Sequence, residues 1–173
     1  MTDLRRPEPL DTKRHRRDDF DCGEPILDEW LRRYAGQNRR GNTAATWVIA
    51  DTKGFVVAYA TLSMTGIDIS AAPTVVARLA PNPVPALLLG RLAVDRRYSN
   101  LGVGTALVAH ALATAAELNE SVACRAVVVT ALTEPTLTWW ERLGFHRFDA
   151  TDSLDLYLLT SEIVKTLRQL GRA

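Results

Sequence analysis

A strand, a pair of glycines and a helix in immediate succession constrain this chain more than any other feature. The run "ALLLGRLAVD" (86–95) is a continuous apolar stretch with one glycine inside it, the pattern of a strand covered on both faces. Gly90 within it permits a bulge or the close approach of another backbone. "YSNLGVGTAL" (98–107) follows, and from Gly102 onward Val103, Ala106, Leu107, His110, Ala111, Thr114 and Leu118 fall on one helical stripe. "CRAVVVTA" (124–131) then returns to β-branched strand composition. A strand–helix–strand passage closes as a crossover between parallel strands, so at least part of the sheet is expected to be parallel.

The flanking sequence supplies the other elements. "FDCGEPILDEWLRRYAGQNRR" places Ile26, Leu27, Trp30, Leu31 and Tyr34 on one face of a first helix, with Pro25 suited to its first turn and Gly41 to its end. "ATWVIAD" (45–51) and "FVVAYATLSMTGIDI" (55–69) flank the turn "TKG" and read as a β-hairpin. Pro73, Pro81, Pro83 and Pro85 crowd one connection, which is expected to be irregular and to leave a lid over one side of the fold. "EPTLTWWERLGF" (134–145) reads as a short helix closed by Gly144, "LDLYLLT" (154–160) as a strand, and "SEIVKTLRQL" (161–170) as a last helix capped by Ser161. The fold class is α/β. At 173 residues, 47% apolar and 24% charged, the chain is expected to be a single domain over 1–173 with a sizeable core.

Several classes of function are disfavoured at once. The N-terminus is charged where a secretory signal is apolar, and no run approaches the roughly 20 apolar residues of a membrane span, so a cytoplasmic protein with no membrane partner is expected. Cys22 and Cys124 are far apart and lack any metal-ligand spacing, so no metal is expected. The formal net charge of +1 gives no wholesale attraction to nucleic acid. The cations are clustered, however, in "KRHRR" (13–17) and in the pairs Arg32–Arg33 and Arg39–Arg40. Such clusters are either a solvated face or a phosphate-contacting strip.

Spacing separates the ligands that glycines at a strand-to-helix turn can serve. A mononucleotide loop needs a lysine after its last glycine, and none follows Gly104. A dinucleotide site needs a third glycine where Leu107 stands. The remaining class is acetyl-coenzyme A. "RLAVDRRYSNLGVGTALV" followed by "WWERLGF" resembles the GNAT acetyltransferase superfamily over nearly the whole chain. The resemblance implies a central mixed, twisted sheet flanked by helices. It implies that Leu92, Ala93 and Val94 pair with pantetheine, and that Leu101, Gly102, Val103, Gly104 and Thr105 hold the pyrophosphate, with Arg96 and Arg97 as cationic neighbours. Physically, a bulky anion is surrounded by backbone donors at a helix N-terminus only where side chains do not intervene. The superfamily's long polar residue at the start of the loop is Ser99 here, which removes one side-chain contact and leaves the peptide N–H groups.

Within the superfamily, "FDCGEPILDEWLRRYAGQNRRGNTAATWVIAD" and "NPVPALLLGRLAVDRRY" resemble the TacT-type toxins. The resemblance implies acetylation of the α-amine of aminoacyl-tRNA, a block to translation, neutralisation by a ribbon-helix-helix antitoxin and, by analogy, a homodimer. Arg32, Arg33, Arg39 and Arg40 would then meet RNA phosphates at the rim. Two alternatives stand beside this: acetylation of a small amine or a protein N-terminus, and a catalytically impaired coenzyme-binding partner of an antitoxin. Family members place a tyrosine four residues before the glycine of the G-F pair, to serve the departing thiolate. This sequence has Trp140 there. An indole N–H donates a hydrogen bond but does not release its proton. Three explanations stay open: another tyrosine, Tyr157 or Tyr34, takes the role; the indole or a water serves, slowly; or activity is lost. His110 is expected as a packed helix residue, His146 at the surface, and Glu134 and Glu141 as helix-surface carboxylates.

Overall fold

A computed structural model of the chain describes residues 3–171. Its strands are β1 (Glu8–Pro9), β2 (Ala45–Ala50), β3 (Val56–Ile67), β4 (Val84–Val94), β5 (Ala126–Thr130), β6 (His146–Arg147) and β7 (Asp155–Leu159). They form one sheet in the order β1-β2-β3-β4-β5-β7-β6. The ladder between β4 and β5 is parallel, and those of β1 with β2, β2 with β3, β5 with β7 and β6 with β7 are antiparallel. The sheet is therefore mixed. By packing, the chain divides into two compact units: the residues up to Ser63 with Leu89–His110, and Met64–Leu88 with the residues from Ala111 onward.

In the first unit the hairpin forms as its sequence predicts, with Trp47 opposite Ala60 and Val48 opposite Tyr59. Its turn is fixed by Asp51, whose Oδ1 accepts from the backbone N–H groups of Lys53 and Phe55, each at 2.9 Å. The first helical stretch is less regular than its periodicity predicts. An α-helical turn, α1 (Pro25–Glu29), passes into a π-helical segment, Trp30–Tyr34, and then into α2 (Ala35–Arg40). The Ala35 N–H bonds to the Trp30 carbonyl, five residues back, which gives the wider turn. Trp30, Leu31 and Ala35 face the core, whereas Ile26 is 82% exposed and Tyr34 46% exposed. The two residues at the ends of the expected apolar stripe thus lie outside it.

The core of this unit is aromatic. Tyr59, fully buried, stacks on Trp30 with centroids 5.8 Å apart and meets the edge of Phe20 at 5.6 Å. Its hydroxyl donates to the Leu27 carbonyl at 2.7 Å, which ties the hairpin to the helix and satisfies the one polar atom the ring buries. Leu10, Val48, Val56 and Ala93 complete the cluster.

In the second unit the proline-rich connection contains one helical turn, α3 (Thr74–Ala77). The parallel ladder sets Ala86, Leu87 and Leu88 against Ala126, Val127 and Val128. The helix α5 (Glu134–Arg142) starts after Thr133, whose N–H donates to Thr136 Oγ1 at 3.2 Å. The last helix, α6 (Thr160–Gln169), begins one residue earlier than expected, and Glu162 rather than Ser161 supplies the cap by accepting from the Leu159 N–H at 3.1 Å. Ile67, Val76, Val84, Ala86, Val128 and Tyr157 form the core here. The long helix α4 (Val103–Asn119) buries Val103, Leu107, Val108, Ala111 and Ala115; Ala106, assigned to the stripe from sequence, is exposed. Among the described residues no helix is long and apolar enough to cross a membrane.

Candidate active site

The chain leaves β4 through a buried carboxylate. Asp95 is 1% exposed. Its Oδ1 accepts from the Arg97 backbone N–H at 3.0 Å and from Arg97 Nε at 2.9 Å; its Oδ2 accepts from Arg97 Nη2 at 2.8 Å and from the Asp21 backbone N–H at 3.1 Å. Burial alone would raise its pKa, but the hydrogen bonds from the Arg97 side chain and from the two backbone N–H groups outweigh it and hold the carboxyl below the usual range. These bonds shape the single 3-10 turn Arg96–Tyr98 that leads into the glycine loop.

The loop itself is built by two left-handed residues. Asn100 has φ +60° and Gly102 has φ +77°. Asparagine is among the side chains that tolerate this region, and glycine adopts it freely. A Cβ on Gly102 would meet no heavy atom within 4 Å, so its glycine answers to backbone conformation and to an open approach, not to internal crowding. The first intrahelical bond of α4 runs from the Ala106 N–H to the Gly102 carbonyl at 3.0 Å. The N–H groups of Val103, Gly104 and Thr105 therefore have no acceptor within the helix, and a helix of 17 residues adds the positive end of its dipole behind them. Leu101, 67% exposed, flanks this cradle.

The strand leading to the loop also runs past one of its two ladders. The ladder of β4 with β5 covers Ala86–Leu88, while β4 runs on to Val94, so Leu92, Ala93 and Val94 lie beyond it. Ala93 is turned into the first unit's core, and Leu92 and Val94 are half-buried. These residues and the cradle fit an extended amide chain that ends in a diphosphate: strand backbone for the amides, unpartnered N–H groups for the anion.

The arginines divide into those the fold employs and those it leaves free. Arg97 is bound to Asp95, and Arg96 is paired with Asp21, so both expected phosphate neighbours already hold carboxylates. Arg32 donates to the Phe20 carbonyl at 3.2 Å, and Arg33 pairs with Glu29 at 3.1 Å. Much of the 13–17 cluster is structural as well. Arg14 pairs with Glu8 at 2.9 Å, Arg16 lies 3.9 Å over the Phe55 ring, and Arg17 donates to the Leu31 carbonyl at 3.0 Å. His15 is buried; its Nδ1 accepts from the Asp11 N–H at 2.9 Å, and its Nε2 faces Glu8 at 2.9 Å. Arg39 and Arg40 make no ion pair among the described residues, and with Arg14 they line a cleft of about 570 Å³ beside Leu10 and Gly36. Of the four arginines expected at an RNA rim, these two remain uncommitted.

Trp140 is 6% exposed, edge-on to Phe145 at 5.2 Å and to Trp139 at 4.9 Å. Tyr157, 8% exposed, lies opposite Val128 in the sheet and packs against His146 and Phe148; burial, with Asp149 and Glu162, raises its pKa. It stays a neutral phenol, able to donate. Both belong to the second unit, whereas Tyr34 is in the first. The His110 ring lies tilted against Trp47 with centroids 4.1 Å apart, as a packed helix residue does. His146 bonds to Glu162 at 2.9 Å, and Glu134 and Glu141 both pair with Arg147.

Sequence reading missed three carboxylates that organise this region: Asp95, Asp21 and Asp28. Asp28, 5% exposed, accepts from the Cys22 N–H at 2.9 Å, and burial together with that carboxylate pushes the Cys22 thiol up to about 12. One signal for Asp95 was available, since an acid closing an apolar strand just before two arginines has its counter-charge beside it. Among the described residues no group of three or more His, Cys, Asp or Glu is placed to hold a metal ion.

Comparison with known proteins places these features in context. Residues 10–145 match the model of the acetyltransferase (GNAT) family. The chain is 34% identical over 143 residues to a tRNA-acetylating toxin of Mycobacterium tuberculosis (strain ATCC 25618 / H37Rv), covering 83% of this chain and 85% of that protein. A structure of AtaT complexed with acetyl-methionyl-tRNAfMet superposes with a TM-score of 0.86 at 26% identity, over 95% of this chain and 99% of that one. A tyrosine-to-phenylalanine mutant of the AtaT toxin, bound to the C-terminus of the antitoxin AtaR and acetyl-CoA, superposes with a TM-score of 0.82 at 27% identity, over 96% and 99%.

Proposed function

We propose, from the premise that the chain belongs to the acetyltransferase (GNAT) family, that it is an N-acetyltransferase toxin, acting as one domain over 1–173, which modifies the α-amine of aminoacyl-tRNA and so blocks translation. The observation that carries the reading is the start of α4: three N–H groups without helical acceptors behind two left-handed residues. They hold the pyrophosphate of acetyl-CoA, while the backbone of Leu92–Val94 meets its amide arm. The coenzyme supplies the activated acetyl group. The RNA substrate is supported by the identity to the mycobacterial toxin and by the likeness to AtaT.

The acceptor needs little activation. A free α-amine titrates near pH ~8, and esterification of the adjacent carboxyl lowers that, so a sizeable neutral fraction exists at neutral pH. Positioning then supplies much of the rate. The Trp140 N–H is a donor toward the departing sulfur, and the neutral phenol of Tyr157 is the alternative. Arg39 and Arg40, which make no ion pair among the described residues, meet RNA phosphates. The partner is an antitoxin of ribbon-helix-helix type, and the active species is a homodimer.

Bulk charged tRNA incubated with labelled acetyl-CoA tests this. Label is expected in the RNA fraction and is expected to fall when Arg39 and Arg40 are both changed to Glu, with acetyl-CoA affinity unchanged. Label on a small amine but not on RNA would overturn the substrate. A second reading, favoured by Trp140 in the tyrosine's place, is a coenzyme-binding partner of the antitoxin without turnover. Tight acetyl-CoA binding with no label on any amine would support it.

A further inference from the structure

The second unit carries a concavity lined by none of the residues assigned above to acetyl transfer. A cleft of about 790 Å³ lies against α6 and is lined in part by Pro85, Val164, Arg125, Lys165 and Arg168. No carboxylate is among the lining residues, and none of the three cations makes an ion pair among the described residues. Arg125 is oriented by its bond to the Arg78 carbonyl at 3.1 Å; Lys165 and Arg168, exposed and one turn apart on α6, are unrestrained. Thr160, also in the lining, is 4% exposed, and its Oγ1 has no hydrogen-bond partner. Leaving a buried hydroxyl unpaired is destabilising, and folds rarely keep such an atom without a use.

The chemistry of the lining selects an occupant. Three unneutralised cations call for an anion. A phosphodiester backbone offers charge but almost nothing apolar, and its contacts are made mainly by polar and cationic groups. Here proline rings and a valine accompany the cations, the mixed apolar and basic composition of a protein interface. We propose that this cleft docks a short acidic peptide segment of a protein partner, with carboxylates against Arg125, Lys165 and Arg168 and an apolar side chain against Pro85 and Val164. The inference does not depend on the acyl-transfer reading.

Fluorescence anisotropy on the intact protein tests it, with three labelled probes: a Glu/Leu dodecapeptide, its Lys/Leu counterpart and a poly-uridine RNA. The acidic peptide is expected to bind and the basic one not. The double variant Lys165→Glu, Arg168→Glu is expected to weaken acidic-peptide binding at least about tenfold. Both residues are exposed, so its far-UV circular dichroism and acetyl-CoA affinity stay those of the parent. Val164→Ser is expected to weaken the same peptide by a smaller factor. No affinity for the acidic peptide, or affinity indifferent to the charge reversal, overturns the proposal. Loss of RNA binding in that variant, with RNA displacing the peptide, assigns the cleft to nucleic acid and overturns it equally.

Discussion

Replacing Asp95 by Asn is the sharpest test of how the glycine loop is held, because the substitution keeps shape and changes only charge and hydrogen-bond polarity. In the parent, four donors converge on the carboxylate, two on each oxygen. The carboxamide retains one acceptor oxygen, which serves the two Arg97 donors now on Oδ1 at 3.0 and 2.9 Å. Its NH2 group then faces the Asp21 N–H and Arg97 Nη2, donor against donor. Hydrogen bonds to a charged group contribute about 1.5–3 kcal/mol each. The Arg97 side chain is 61% exposed and recovers part of its loss from water, so its bond counts at or below the lower end. The part-buried Asp21 N–H cannot do so. The expected cost is about 2–4 kcal/mol, which for a chain of this length lowers the melting temperature by roughly 4–16 °C.

The pH dependence gives a second, independent reading of the same substitution. The Asp95 pKa is lowered in the folded state, so its contribution is complete above the unfolded value of about 3.9 and is lost as pH falls through the folded value. Urea unfolding of parent and variant from pH 7 down to pH 2 should therefore show a gap that narrows below about pH 4. A gap under ~0.5 kcal/mol at pH 7, the size of an ordinary surface substitution, would refute the reasoning, as would one that widens in acid.

Three further outcomes follow from the site. Gly102→Ala places a side-chain-bearing residue at φ +77°; it should cost about 1–2 kcal/mol in calorimetry and raise the acetyl-CoA dissociation constant in titration calorimetry, because the methyl group occupies the open approach. Trp140→Tyr supplies a releasable proton with an aromatic ring of similar plane. Steady-state kinetics should show kcat rising with the KM for acetyl-CoA little changed, and an unaltered kcat would place the proton donor elsewhere. Cys22, with its thiol pushed up to about 12, should resist iodoacetamide at pH 8 in the folded protein and react on unfolding. Since the folded state holds that proton more tightly, its contribution is present below the unfolded value of about 8.5 and declines as pH rises toward 12, visible as falling stability in alkaline urea titrations.

The parts of this fold that were legible in the sequence are those written in local periodicity. The parallel strand pair, the helix between them and the Ala45–Ile67 hairpin each occupy one continuous stretch whose apolar spacing repeats. What stayed hidden was set by partners distant in sequence. β1 and β6 are two residues each and exist only because Val48 and Tyr157 offer them a strand to pair with. The π-helical turn at Trp30–Tyr34 begins at the residue that stacks on Tyr59, a partner from a distant strand that no helical period encodes. The cleft beside α6 draws on Pro85, Arg125 and Arg168, three separate segments.

The arginines show why clustering in sequence is a poor guide to a basic surface. Charge counts treat Arg14, Arg16, Arg17, Arg32, Arg33, Arg96 and Arg97 as one population. In the fold each of them already has an internal acceptor or an aromatic ring, and the charge it offers a ligand is reduced accordingly. Arg39 and Arg40 sit at the end of α2, where the helix carbonyls favour cations, and neither makes an ion pair among the described residues, so their charge stays available. The same logic explains how the glycine loop dispenses with the long polar residue replaced by Ser99. In the proposed coenzyme site a side-chain donor would add strength, whereas Asn100 and Gly102 shape the site by turning the chain so that three peptide N–H groups leave α4 together. Losing the former lowers affinity; only straightening the latter would remove the site.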